Sequence, residues 1–138
     1  MSNDNSSQPV SVLIIENDDF LREVIIDLLG FSDLSCLDTP SGLEGVRLFQ
    51  QYQDNIDLVI LDMGLPDKNG DKVVQELHDI CPDIEIVIIS GRPKEILDQL
   101  FQTCVHVSVV QKPFEAFWFS DMVNELIGHQ SQAKSKNV

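Results

Sequence analysis

Five short apolar runs alternate with five stretches in which apolar residues recur at helical spacing, and polar segments flank them at both ends. Residues 10–15 (VSVLII) are β-branched and nearly continuous, as expected of a strand covered on both faces. Leu21, Val24, Ile25, Leu28 and Leu29 then follow the i, i+3, i+4, i+7, i+8 pattern of one helix face, with Gly30 expected to close the helix. A short strand over 35–38 precedes a helix start at Thr39-Pro40-Ser41, with Leu43, Val46 and Phe49 as its apolar face. Residues 57–61 (DLVIL) read as a buried central strand ending abruptly on Asp62. Gly70 opens a third helix striped by Val73, Val74, Leu77, Ile80 and Cys81, which Pro82 ends. A fourth strand over 84–89 runs into Ser90-Gly91, and Pro93 suits the first turn of a helix carrying Ile96, Leu97, Leu100 and Phe101. A fifth strand over 105–110 ends at Gln111-Lys112-Pro113-Phe114. The last helix, 115–127, aligns Phe119, Met122, Val123, Leu126 and Ile127. Strand–helix alternation of this kind predicts an α/β domain with a parallel sheet covered on both faces.

Domain organisation follows from the flanks. Residues 1–9 (MSNDNSSQP) are Ser/Asn-rich and expected to be disordered, 10–128 form one domain, and 129–138 form a flexible tail in which Lys134 and Lys136 serve solubility. The chain has 138 residues, enough for one core, and its 43 % apolar and 23 % charged content is that of a soluble globular protein. A net charge of −14 repels phosphate backbones, so direct nucleic-acid binding is not expected. Cys36, Cys81 and Cys104 are odd in number and widely spaced, which fits reduced thiols in a cytoplasmic protein better than a disulfide frame or a zinc site. No apolar run approaches a membrane span or a signal core.

The chemistry lies at the strand ends. In a doubly wound parallel sheet, the carboxyl ends of the strands share one edge, where ligands bind. That edge collects Glu16-Asn17-Asp18-Asp19 after the first strand, Asp62 after the third, Ser90 after the fourth and Lys112 after the fifth. Clustered carboxylates repel one another and must protonate or take up a cation, and an oxygen-rich, partly hydrated site suits Mg²⁺. A cation there neutralises charge on a phosphoryl group whose oxygens Lys112 and the Ser90 hydroxyl hold, with Asp62 as the carboxylate nucleophile. A lone Asp at a strand end would read as a turn or cap residue. The convergence of four polar strand ends argues otherwise. His78, His106 and His129 are not spaced as metal ligands and read as surface or packed residues. Phe114, Phe117, Trp118 and Phe119 crowd the start of the last helix; core packing accounts for one or two of them, and a partly exposed aromatic patch for a partner is the alternative to plain packing.

Over roughly residues 10–128 the chain resembles the receiver domain of two-component response regulators. The motifs that carry the resemblance are IIENDDFLRE after the first strand, the LDMGLPDKNG block, IISG at the end of the fourth strand and QKPF at the end of the fifth. The resemblance implies a flavodoxin-like, doubly wound five-stranded parallel sheet in the order 2-1-3-4-5 with five helices. It implies phosphorylation of Asp62 by a histidine kinase or histidine phosphotransfer protein, with Ser90 and Lys112 at the phosphoryl group and Lys112–Pro113 as the family's cis peptide. It further implies Mg²⁺ as cofactor, held by Glu16, Asn17, Asp62 and the backbone carbonyl of Gly64. Arg22 sets that register, and Asp18 is a further candidate ligand. Output through the face of helix four, strand five and helix five, and a monomer or weak dimer, are implied likewise.

Two positions depart from the family pattern. Asn17 stands where an acidic metal ligand is usual, so weaker Mg²⁺ binding and slower phosphorylation are expected. Val109 stands where many members carry an aromatic switch residue, so Ser90 has no ring to couple to. The leading expectation is a phosphoryl-accepting switch, not an enzyme; the alternative is a pseudo-receiver that keeps the fold as an interaction module with weak or no phosphorylation. A phosphatase with an aspartate nucleophile needs a second acid where Gly64 stands, and a flavin-binding loop after the first strand would be repelled by its carboxylates. The absence of an effector domain after residue 128 fits either a single-domain regulator or a portion of a longer chain.

Overall fold

The computed structural model describes the backbone of residues 11–136 and the side chains of residues 12–128. Strands β1 (Ser11–Ile15), β2 (Ser35–Thr39), β3 (Ile56–Asp62), β4 (Glu85–Ser90) and β5 (Val107–Gln111) alternate with helices α1 (Asp19–Gly30), α2 (Gly42–Tyr52), α3 (Gly70–Ile80), α4 (Lys94–Leu100) and α5 (Ala116–Lys136). All five strands are parallel, in the order β2-β1-β3-β4-β5. This is the flavodoxin-like order expected from the sequence. The segment 1–9 expected to be disordered lies outside the described residues.

Period-two alternation divides the core into two layers. Leu13, Ile15, Val59, Leu61, Ile86 and Ile88 point to the side of Phe49, Val73, Val74, Leu77 and Phe101, from α2, α3 and the end of α4. Val12, Ile14, Leu58, Ile60, Val87 and Ile89 point to Ile25, Leu29, Phe119, Val123 and Ile127, from α1 and α5. Every residue of β3 is buried, including Asp57 and Asp62, and between those two carboxylates the strand is a continuous apolar run. α2 lies so close to the sheet that a Cβ on Gly45 would collide with the Ile15 side chain.

Several local expectations change. Gly30 is the last residue of α1, but the left-handed residue of the following turn is Asp33, with φ 59°. Asp tolerates that region because its short polar side chain bonds locally. Leu43 on α2 is exposed, and the inward surface there is made by the small residues Gly42 and Gly45. On α4 only Leu97 of the predicted stripe is buried, with Phe101 just beyond it, while Ile96 and Leu100 face solvent. A seven-residue helix over the sheet margin has room to bury only one such row. Val105 precedes β5 and is exposed. The backbone of α5 continues helically to Lys136 instead of ending near Ile127. Residues 129–136 (HQSQAKSK) contain no proline and include Gln, Ala and Lys, which propagate a helix readily. Among the described residues no helix is long and apolar enough to cross a membrane.

Candidate functional site

Register places the strand ends side by side. Ile15 is paired with Leu61, Asp62 with Ile89, and Ser90 with Gln111. Glu16, Asp62, Ser90 and Lys112 therefore meet at one edge, as expected. The ladder continues past the strands: the Met63 N–H donates to the Ile89 carbonyl (3.0 Å) and the Lys112 N–H to the Ser90 carbonyl (2.7 Å). The Lys112–Pro113 peptide is cis.

Asp62 is 7 % exposed at the floor of a cleft of about 460 Å³ lined by Met63, Gly64, Ser90, Gly91, Arg92 and Lys112. Its Oδ1 accepts a hydrogen bond from the Gly64 N–H at 3.0 Å, and the Lys112 ammonium lies 3.5 Å from the same atom. Lys112 is also 3.6 Å from Glu16 Oε1, so one cation faces two carboxylates. Ser90 is buried, and its Oγ accepts from the Arg92 N–H at 3.1 Å.

Glu16 is 1 % exposed. Its Oε2 accepts from the Asp18 N–H (3.0 Å), whereas the buried Oε1 has no hydrogen-bond donor. Burial pushes its carboxyl up to about 7; the Asp18 N–H opposes this, the neighbouring Asp62 adds to it, and Lys112 offsets part of it. A buried acceptor oxygen without a donor, beside a second carboxylate, is an arrangement that a hard cation would complete. The Glu16 carbonyl is held by Arg22 Nη1 (2.8 Å), and Arg22 is anchored in turn to Asp38 (3.0 Å) and Asp19 (2.7 Å).

The other acidic candidates sit differently. Asn17 is exposed beside Glu16. Asp18, a further candidate ligand by sequence, caps α1, its Oδ1 accepting from the N–H groups of Phe20 (2.9 Å) and Leu21 (3.1 Å). Among the described residues no three His, Cys, Asp or Glu side chains converge as a metal-holding group. The carboxylates that could hold Mg²⁺ are thus two, Glu16 and Asp62, both facing Lys112, with Asn17 next to Glu16 in the chain and Gly64 lining the cleft. Mg²⁺ commonly makes do with one or two carboxylates and keeps several waters. Val109 packs against the apolar layer beneath α4.

Two features escaped the sequence reading. Arg92 lines the cleft two residues after Ser90. Asp67, in the loop after Asp62, reaches across to α2: it accepts from Ser41 Oγ (2.9 Å) and from the N–H groups of Gly42 and Leu43 (3.0 Å each). These donors, the two backbone amides foremost, lower its carboxyl to about 2. A carboxylate followed by Lys-Asn-Gly signals a turn, but nothing local to it signals a partner on another helix.

Comparison with known proteins identifies the family. The model of the response regulator receiver domain matches residues 12–124. The chain is 32 % identical over 107 residues to the probable C4-dicarboxylate response regulator DctR of Bacillus subtilis, covering 75 % of this chain and 46 % of DctR. It is 23 % identical over 124 residues to the sensor kinase CckA of Brucella abortus, covering 90 % of this chain and 13 % of CckA. The chain thus spans less than half the length of either relative. A response regulator receiver domain protein of Clostridium thermocellum superposes with a TM-score of 0.80 at 25 % identity, covering 90 % of this chain and 98 % of that one. The chain belongs to the receiver domain family of two-component response regulators.

Proposed function

We propose that this receiver domain accepts a phosphoryl group on Asp62 and acts as a signalling switch in a phosphorelay. The observation that carries the reading is one buried edge at which a carboxylate, a lysine ammonium and a hydroxyl-bearing strand end meet in an open cleft. An Asp62 carboxylate oxygen attacks the phosphorus of a phosphohistidine, the O–P bond forms as the P–N bond breaks, and the imidazole nitrogen leaves with the electron pair. Lys112 stands ready to pair with the phosphoryl oxygens, and Ser90 to donate its hydroxyl to them, since its Oγ only accepts from the Arg92 amide and the O–H is left over. Bound Mg²⁺ supplies charge neutralisation for the transferring group. Glu16, Asp62, the Gly64 carbonyl and Asn17 would hold it. The donor is a histidine kinase or histidine phosphotransfer protein.

The phosphorylated form would bias a conformational equilibrium rather than turn over a substrate. Ile96 and Leu100 of α4, Val105 before β5, and Phe117 and Trp118 of α5 are exposed apolar groups that support output through the α4–β5–α5 face. The unpaired thiols of Cys36, Cys81 and Cys104 suit the reducing cytoplasm. Asn17 favours a second reading, an interaction module that is seldom or never phosphorylated, because it removes a negative charge from the cation side. Intact mass after incubation with Mg²⁺ and acetyl phosphate separates the two. One added phosphoryl group, absent in Asp62→Ala, supports the switch. No adduct, even after Asn17→Asp and at high Mg²⁺, supports the module.

A further inference from the structure

The loop that follows Asp62 is tied down at both ends, and the second tie lies outside the site itself. At the first, the Gly64 N–H is bonded to Asp62. At the second, the Asp67 carboxylate accepts three hydrogen bonds from the start of α2, from Ser41, Gly42 and Leu43. Only Leu65 and Pro66 separate Gly64 from Asp67, and the ring of Pro66 fixes one of the backbone dihedrals between them. The same loop is pressed onto Gly42: a Cβ there would stand 3.1 Å from Lys68 Cβ and 3.2 Å from Leu65 Cδ1. Leu65 is buried beneath the clamp, and the Lys68 ammonium is bonded to Glu76 of α3 at 2.7 Å.

Asp67 is therefore more than a borrowed cap for α2. The Leu43 and Gly42 amides hold its exposed carboxyl well below the usual carboxylate range, so it is ionised, and able to accept all three bonds, at ordinary pH. With the clamp closed, the peptide at Gly64 has little freedom, and its N–H is held on Asp62 at the edge of the cleft.

We infer that Asp67 is a positioning residue for the phosphoryl-accepting site, holding the Met63–Asn69 loop on α2 so that Gly64 faces Asp62 and the cation position. This rests on the reading of Asp62 as phosphoacceptor with Mg²⁺ beside it. Loss of the clamp frees the loop, loosens the Gly64 N–H from Asp62 and weakens cation binding, without removing any group that touches the phosphoryl.

The test compares wild type, Asp67→Ala, Asp67→Asn and Ile127→Val, the last a remote core change that lowers stability on the opposite layer. Amide hydrogen exchange reads the loop without metal: Gly64 should exchange faster in Asp67→Ala, with Leu58–Leu61 of β3 unchanged. Mg²⁺ titration followed by amide shifts should show affinity about tenfold weaker, the scale found when outer partners of metal ligands are removed. The acetyl phosphate rate should fall by a similar factor at low Mg²⁺ and stay within about twofold of wild type at saturation. Asp67→Asn, which keeps one acceptor oxygen, should recover part of both, and Ile127→Val should move neither. Unchanged Gly64 exchange and Mg²⁺ affinity in Asp67→Ala, with only a lower melting temperature, would overturn the inference and leave Asp67 a cap. Wild type that neither binds Mg²⁺ nor gains a phosphoryl group would overturn the phosphoacceptor reading, and with it the positioning role, even if Gly64 exchange responds as expected.

Discussion

The two sides of Asp62 are not equally furnished. On the β4–β5 side, Ser90 is buried, Lys112 lies 3.5 Å from the Asp62 carboxylate, and the Lys112 backbone is bonded to Ser90. On the β1 side, Glu16 is buried with one oxygen lacking a donor, Asn17 carries no charge, and one oxygen of the Asp18 carboxylate caps α1. If Asp62 accepts a phosphoryl group as proposed, the side that would meet the phosphoryl oxygens has its hydroxyl and its ammonium in place, while the side that would hold a cation has an uncharged Asn17 beside Glu16. On that reading the site is weaker in cation binding than in the acceptor.

The largest effect should come from the acceptor. Asp62→Ala should abolish the phosphoryl adduct seen by intact mass with acetyl phosphate and Mg²⁺; an adduct of equal yield would place the acceptor elsewhere. Next comes the β4–β5 side: Lys112→Met should slow phosphorylation about a hundredfold at saturating Mg²⁺, the scale of losing one preorganised charge-stabilising donor. A change below about threefold would mean that the lysine mainly quiets the two carboxylates. The β1 side should respond with the opposite sign in the absence of metal. Asn17→Asp adds a third carboxylate near Glu16 and Asp62, so the metal-free protein should lose at most about 1 kcal/mol in urea unfolding, since solvent-exposed charge pairs are worth that little. Excess Mg²⁺ should reverse the loss.

The smallest effect belongs to the clamp. The Asp67 carboxyl is lowered from the ordinary 3.8 to about 2, so its contribution is present above about pH 4 and is lost as pH falls through 2. Asp67→Asn should therefore be less stable than wild type at pH 6, by about 1 kcal/mol or less for so exposed a group. The two stability curves, followed by urea midpoints, should converge as pH drops toward 2. A difference that persists undiminished at pH 2 would mean that charge on Asp67 contributes nothing.

Much of this was readable from the chain. β-branched runs such as VSVLII and IVII could only be buried strands, and the breakers after Asp62 and Ser90 marked where each strand stopped. Because all parallel strands end on one edge, the neighbourhood of Glu16, Asp62, Ser90 and Lys112 followed from topology. What could not be read depended on partners distant in sequence or on the geometry of packing. Asp67 finds its donors 24 to 26 residues earlier in the chain, and no periodicity connects a turn carboxylate to another helix's amides. Ile96 and Leu100 share helical spacing with Leu97 and Phe101, yet a short helix at the sheet margin leaves that row to solvent. By sequence Asp18 was only a further candidate ligand; its capping of α1 depends on the direction of that helix, which aims the Phe20 and Leu21 amides at its carboxylate.

The claim that the cation side limits this site is tested most directly by the Mg²⁺ dependence of phosphorylation in wild type and Asn17→Asp. The rate with acetyl phosphate should half-saturate at about tenfold lower Mg²⁺ in Asn17→Asp, with saturating rates within about threefold of each other, as when one charged ligand is restored and the acceptor is untouched. Superimposable Mg²⁺ curves, or a saturating rate that rises while the midpoint stays fixed, would contradict it.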